Sequence, residues 1–313
     1  MGCYSRALAL RSAVLIFNPN AGAIIRRRPR FDAALAELRR QGISLTVAPT
    51  RSPGHAAELA GNAVAGGAEA IIAAGGDGTV NEVLNGMAGS RVPLAVLPCG
   101  TANVLACETG MRRDALAAAR QFPELGRSRI AVGRLKAAGA APRYFLLMAG
   151  VGLDAEVLRH VDLDLKRRWG KLAYWMAGFS LAGRALNQAR VATSDGLVLT
   201  TSFALAARVR NYGGDLAIAA GADLLRDDFE LVAFRAKTTW PYLAYLGGAA
   251  IGQAARIPGV EAMRATSLRC DPTNGPVFVQ VDGEPAGELP ARIETVPDAI
   301  TLMLPRAATS RRS

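Results

Sequence analysis

Across about the first 125 residues, short apolar runs alternate with helical patterns, and this alternation limits the fold more than any other feature of the chain. AVLIF (13–17) leads through a basic loop to FDAALAELRRQG, and SLTVA (44–48) leads to SPGHAAELAGNAVAGG. AIIAA (70–74) leads to VNEVLNGMAG, and PLAVLP (93–98) to GTANVLACE. Ser52 is placed as an N-cap with Pro53 at the first helical position. Strands joined by helical crossovers run parallel, and such a sheet is covered by helices on both faces. Beyond about Arg127 the rhythm changes to short strand-like runs such as RYFLLMAG, LVLTTSFALAAR, FELVAF and AITLML, with turn signals at Ser194-Asp195-Gly196 and Asp282-Gly283. These predict an antiparallel sandwich or barrel. Helical patterns interrupt it around Lys166–Gln188 and Thr239–Ala255. The expectation is an α/β domain over 1–127 and a β-sandwich domain over 128–313, with the active cleft between them.

Composition narrows the function. A formal charge of +11 favours an anionic partner, whether nucleic acid, an anionic membrane or a phosphorylated substrate. The basic residues form patches, as in IIRRRPR and LKRRWGK, and no nucleic-acid recognition motif accompanies them. With only two histidines, His55 and His160, a histidine metal cage and a Ser-His-Asp triad are disfavoured. Four cysteines without a CxxC pair read as reduced thiols in a cytoplasmic protein. Arg11 interrupts the first apolar stretch, so no signal peptide is expected. No apolar run reaches the ~20 residues needed to span a bilayer.

The segment AIIAAGGDGTVNEVLNGMAG (70–89) places Gly75, Gly76, Asp77, Gly78 and Thr79 between a strand and a helix. Glycines there let backbone N–H groups approach a ligand, and the helix adds the positive end of its dipole, so the turn suits phosphates. No Gly-Lys-Ser/Thr follows, which excludes a Walker A loop, and Asn81 takes the third glycine position of the dinucleotide fingerprint. A carboxylate facing phosphates needs a divalent cation between them, so Asp77 points to a nucleoside triphosphate with Mg²⁺. FNPNAG (17–22), Thr50 and LPCGTAN (97–103) lie at the ends of the other three strands, where open α/β sheets bind ligands.

Taken with AGVGLDAEV (149–157) and VDGEP (281–285), the motifs NPNAG, GGDGTVNEV and LPCGTAN resemble the diacylglycerol kinase catalytic-domain family, which includes sphingosine, ceramide and bacterial lipid kinases. The resemblance runs from about Val14 to Pro305. It implies an NAD kinase-like α/β domain, a β-sandwich domain, and ATP-dependent phosphorylation of a lipid hydroxyl. By position it makes Asn18, Thr50, Gly76, Asp77, Gly78, Thr79, Val80, Asn81, Glu82 and Thr101 the nucleotide-binding residues. It makes Glu284 the catalytic base, with Asp282 beside it and Asp77 serving catalysis from the phosphate loop. A carboxylate base fits the chemistry, because a lipid alcohol is a poor nucleophile until its proton is accepted. DLLRDDFEL (223–231) resembles the family's structural Mg²⁺ loop, with Asp227 and the carbonyls of Leu224 and Phe229 as ligands.

Two departures stand out. Asp228 occupies a position that is usually glycine, and Val104 follows GTAN where many bacterial members carry aspartate. Diacylglycerol is the first expected substrate, with a sphingoid base or ceramide next. An NAD kinase and a non-catalytic nucleotide- or lipid-binding module are the rivals from other classes. The expected setting is cytoplasmic, peripheral at the inner face of the membrane. There Lys166, Arg167, Arg168 and Lys171 would meet anionic headgroups beside Trp169, Tyr174 and Trp175. A homodimer is among the partners this reading allows.

Overall fold

The computed structural model describes residues 10–153, 155–156, 186–212, 216–235, 248 and 258–309. The two helical insertions fall almost wholly outside them, as does the aromatic and basic wall expected around Lys166–Trp175. The chain forms two compact units, Met1–Ile130 with Asp298–Ser313, and Ala131–Pro297.

The first unit holds the strands β1 (Ser12–Phe17), β2 (Ser44–Pro49), β3 (Ile71–Gly75) and β4 (Pro93–Pro98). Its helices are α1 (Gly22–Arg26), α2 (Arg28–Arg40), α3 (His55–Ala65), α4 (Asp77–Met87), α5 (Val104–Thr109) and α6 (Ala115–Gln121). The strands lie parallel in the order β2-β1-β3-β4. Every residue of β3 and β4 is buried, which is why both read as unbroken apolar runs. Helix α2 packs with α6, and α3 with α4. The second pair meets backbone to backbone: a Cβ on Gly86 would lie 2.0 Å from the Ala57 carbonyl oxygen. Helix α3 begins at His55, later than Pro53 suggests, behind a left-handed Gly54 with no side-chain cap.

The remaining strands are β5 (Leu125–Ala137), β6 (Arg143–Phe145), β7 (Met148–Gly152), β8 (Ala189–Thr193), β9 (Val198–Thr201) and β10 (Phe203–Ala207), followed by β11 (Asn211–Tyr212) and β12 (Leu216–Ala217). After them come β13 (Phe229–Phe234), β14 (Val260–Ala265), β15 (Ser267–Pro272), β16 (Phe278–Val281), β17 (Glu284–Glu288) and β18 (Ala291–Pro305). The second unit is an antiparallel sandwich. One sheet runs β14-β13-β10-β7-β16-β17, and the other includes the first part of β18 with β15, β8 and β9. Val151, Ala204, Leu231 and Val279 from one sheet share a core with Val191, Leu199, Leu268 and Ile293 from the other. Phe145 lies flat on Gly133, where a Cβ would sit 2.0 Å from its ring. The last part of β18 leaves this unit: Thr301 and Leu302 pair in parallel with Pro93 and Leu94 of β4. A nearly continuous apolar run such as AITLML does not tell which sheet a strand joins, so the sequence leaves it with the sandwich.

Candidate active site

In the first unit, the loops after β3 and β4 touch through their glycines. A Cβ on Gly100 would lie 2.4 Å from the Cα of Gly76, and one on Gly75 would lie 2.5 Å from the side chain of Thr79. The Cys99 N–H donates to the Gly75 carbonyl at 2.8 Å, continuing the β3–β4 ladder into the loops. Asn103, left-handed at φ 49°, closes the second loop on itself. Its Oδ1 accepts from the Gly100 N–H at 2.9 Å, and its Nδ2 donates to the Gly100 carbonyl at 3.1 Å. Asparagine is one of the few side chains that adopt this conformation readily.

Asp77 opens α4, and its carboxylate reaches across to the start of α5. Oδ2 accepts from the Val104 N–H at 3.1 Å, and Oδ1 from the Leu105 N–H at 3.3 Å. Burial pushes its pKa up, against the opposing pull of these N–H groups. The residue at 104 therefore contributes its backbone N–H here, a contact that a valine makes as well as an aspartate.

Asn18, Thr50, Gly76, Gly78 and Thr101 lie together at the carboxyl-terminal edge of the sheet, after β1, β2, β3 and β4. Asn18 Oδ1 accepts from the Asn20 N–H at 2.9 Å, and the Thr50 N–H donates to the Phe17 carbonyl at 2.9 Å. Thr79, Val80 and Asn81 are buried along α4, and Asn81 accepts from Asn85 Nδ2. Glu82 turns to α3 and accepts from the Ala56 N–H at 3.2 Å, capping a helix that has no side-chain cap of its own. These four side chains hold the loop's helices in place.

A cavity of about 430 Å³ opens beside this edge, lined by Gly100, Thr101 and the arginines Arg26, Arg27, Arg30 and Arg113. Its one carboxylate, Asp114, is held by Arg30 at 2.8 Å. The remaining positive charge suits a polyanion. The run IIRRRPR hinted at three of these arginines, whereas Arg113 joins them only through the packing of α6 against β4.

In the second unit, Asp282 and Glu284 part company. Asp282 is left-handed at φ 48°, and its carboxylate accepts three backbone N–H groups, from Leu146 at 3.1 Å, Leu147 at 3.0 Å and Met148 at 2.9 Å. Gly283 follows at φ 83°, its N–H on the side chain of the buried Gln280 at 2.8 Å. Glu284 opens β17 half-exposed, and its Oε2 pairs with Arg143 Nη2 at 2.8 Å. No spacing rule links Arg143 to a residue so distant in sequence, so sequence reasoning missed it.

The loop expected to hold a structural ion is also in this unit. The Leu224 carbonyl accepts from Arg208 Nη2 at 2.7 Å, Asp227 is exposed, and Phe229 begins β13 opposite Ala265. Among the described residues, no group of three His, Cys, Asp or Glu side chains is placed to hold a metal. At the glycine loop the single carboxylate of Asp77 is engaged by the Val104 and Leu105 N–H groups, so Mg²⁺ would come with the nucleotide phosphates, its usual mode. That carboxylate does not make a protein cage.

Comparison with known proteins agrees with both halves of this description. The diacylglycerol kinase catalytic domain matches residues 12–135, and the YegS C-terminal NAD kinase beta sandwich-like domain matches residues 148–304. A protein of Xanthomonas euvesicatoria named "Probable lipid kinase YegS-like" is 31% identical over 290 residues, covering 87% of this chain and 90% of its own. The diacylglycerol kinase of Mycobacterium tuberculosis is 27% identical over 279 residues, covering 87% of this chain and 89% of its own. The crystal structure of a diacylglycerol kinase from Bacillus anthracis superposes with a TM-score of 0.72 at 20% identity, over 95% of this chain and 98% of that one, a likeness of fold. With an α/β unit, an antiparallel sandwich and both domain matches in order, the chain belongs to the diacylglycerol kinase-like family of lipid kinases.

Proposed function

We propose that this protein transfers the γ-phosphoryl group of ATP to the hydroxyl of diacylglycerol. The observation that carries this reading is the division of labour in the DGE turn. Asp282 is saturated by backbone N–H groups, while Glu284 keeps Oε1 without a hydrogen-bond partner among the described residues. Glu284 accepts the hydroxyl proton as the lipid oxygen bonds to the γ-phosphorus and the bond to the β-phosphate oxygen breaks, releasing ADP. Arg143 orients the carboxylate through a charge-assisted hydrogen bond. The N–H groups of Gly76 and Gly78, with Thr101, receive the phosphates, and the arginines Arg26 and Arg27 draw the polyanion toward them. Mg²⁺ carried by the nucleotide supplies charge neutralisation, and Asp77 sets the angle between the two loops that receive it.

Diacylglycerol comes before a sphingoid base or ceramide because proteins that share most of this chain's length carry that name. Its lipid nature implies work at a membrane surface, and no helix among the described residues is long and apolar enough to cross one. Incubation with γ-labelled ATP, Mg²⁺ and mixed micelles of diacylglycerol, sphingosine or ceramide, with NAD in a parallel tube, is the test. Label in phosphatidic acid is expected. Label in another lipid changes the substrate, and label in NADP alone removes the lipid-kinase reading of this site.

A further inference from the structure

The segment Asp223–Phe229 turns several carbonyls inward, and buried carbonyls need donors or a cation. Here the donor is an arginine distant in sequence. Arg208 follows β10 and is fully buried. Its Nη2 reaches the carbonyls of Leu224 at 2.7 Å, Ala131 at 2.9 Å and Arg226 at 3.1 Å, and its Nη1 reaches that of Asp228 at 3.0 Å. Nε has no partner. Among the described residues, no carboxylate touches the guanidinium. Asp227, Asp228, Asp223 and Asp282 support its charge through space, and although burial pulls its pKa down to about 10, it stays charged at neutral pH.

This arrangement leaves no place for the ion that the loop's resemblance implies. The Leu224 carbonyl is already engaged, Asp227 is exposed, and Asp228 is tied by Arg226 at 2.9 Å and Arg264 at 2.8 Å. A divalent cation would need oxygens at about 2.0–2.6 Å, beside a buried positive charge that repels it. We infer that Arg208 is the resident cation of the Asp223–Phe229 loop, so the second unit folds without a structural metal. The arginine also reaches the DGE turn. Its backbone N–H donates to the Leu147 carbonyl at 2.8 Å, while Asp282 accepts the Leu147 N–H at 3.0 Å. The two residues grip one segment from either side.

The test is the metal content and melting temperature of the full chain without nucleotide, readouts that do not depend on the kinase reading. After purification, elemental analysis should find far less than one Mg²⁺, Mn²⁺ or Ca²⁺ per chain. EDTA, or its replacement by millimolar Mg²⁺, should move the melting temperature by no more than about 1 °C, because only an ion bound to the native state stabilises it. Arg208→Ala should melt roughly 10 °C lower or fail to fold, with Arg208→Lys between it and the parent. One retained ion per chain, with a fall of about 5 °C or more on chelation of the parent, would overturn the inference whether or not the variants fold. So would an Arg208→Ala variant that melts like the parent.

Discussion

The chain uses the pair Asp-Gly at two functional motifs, once in each unit, and the two can be compared directly. In GGDGT, Asp77 starts a helix and binds two N–H groups at the head of the next one. In VDGEP, Asp282 sits left-handed on a turn and binds three N–H groups of the segment before β7. Both motifs place a carboxylate beside glycine where chemistry is expected, and both carboxylates are occupied by backbone. What differs is the neighbour. The neighbour of Asp77 is a pair of glycine loops in close contact, whereas the neighbour of Asp282 is Glu284, a carboxylate left half-exposed. In both motifs the Asp-Gly step is therefore a fastening.

The largest effect expected from this comparison is at Glu284. Glu284→Gln should lower kcat by roughly 10²–10⁴-fold with the melting temperature and ATP affinity nearly unchanged. Retained turnover in steady-state assays would break the assignment of the base.

Asp282→Ala should act through stability instead. It strands three N–H groups at about 1 kcal/mol or more each, so a fall of roughly 10 °C is expected, with activity lost alongside. If calorimetry finds the parent's melting temperature and only the rate suffers, Asp282 is a reacting group and the comparison fails. Asp77→Ala frees two N–H groups, so about two-thirds of that fall is expected, and ATP should bind more weakly as the Gly76–Gly100 contact loosens. Isothermal titration with an ATP analogue separates these effects. Unchanged binding would confine Asp77 to helix anchoring.

A smaller, signed effect concerns pH. Burial raises the pKa of Asp77 in the folded chain, so the group's stability contribution is full below its unfolded pKa and fades as pH rises through the folded one. The melting temperature of the parent relative to Asp77→Asn should therefore rise as pH is lowered from 7 toward 4, and an opposite slope would contradict the burial account. The smallest change is expected at Arg143→Ala. This ion pair is partly exposed, with side-chain exposures of 28% and 42%, and such pairs contribute about 0–1 kcal/mol to stability. Its effect should appear in kcat rather than in the melting temperature, because Glu284 loses the partner that orients its carboxylate. An unchanged kcat would leave Arg143 as surface charge.

What the sequence determined by itself is set by local physics. Continuous apolar runs gave β3 and β4, helical spacing gave α2 and α4, and the glycine positions gave the two loops, because each depends on residues close in the chain. The family resemblance extended this to the sandwich and to Glu284. The tertiary structure alone decided which side chains remain available. Asn81 and Glu82 lie in a phosphate-loop motif, but Asn81 accepts from Asn85 along its own helix and Glu82 turns to α3, and Arg143 and Arg208 carry no motif at all. It also drew the end of β18 into the first sheet, a choice that its apolar run leaves open. The physical reason is the same in each case. Whether a carboxylate binds an ion, a hydroxyl or a backbone N–H depends on which donor is nearest in space. Here those donors lie 26 residues away in sequence for Glu82, 27 and 28 for Asp77, 134 to 136 for Asp282 and 141 for Glu284, where no spacing rule reaches.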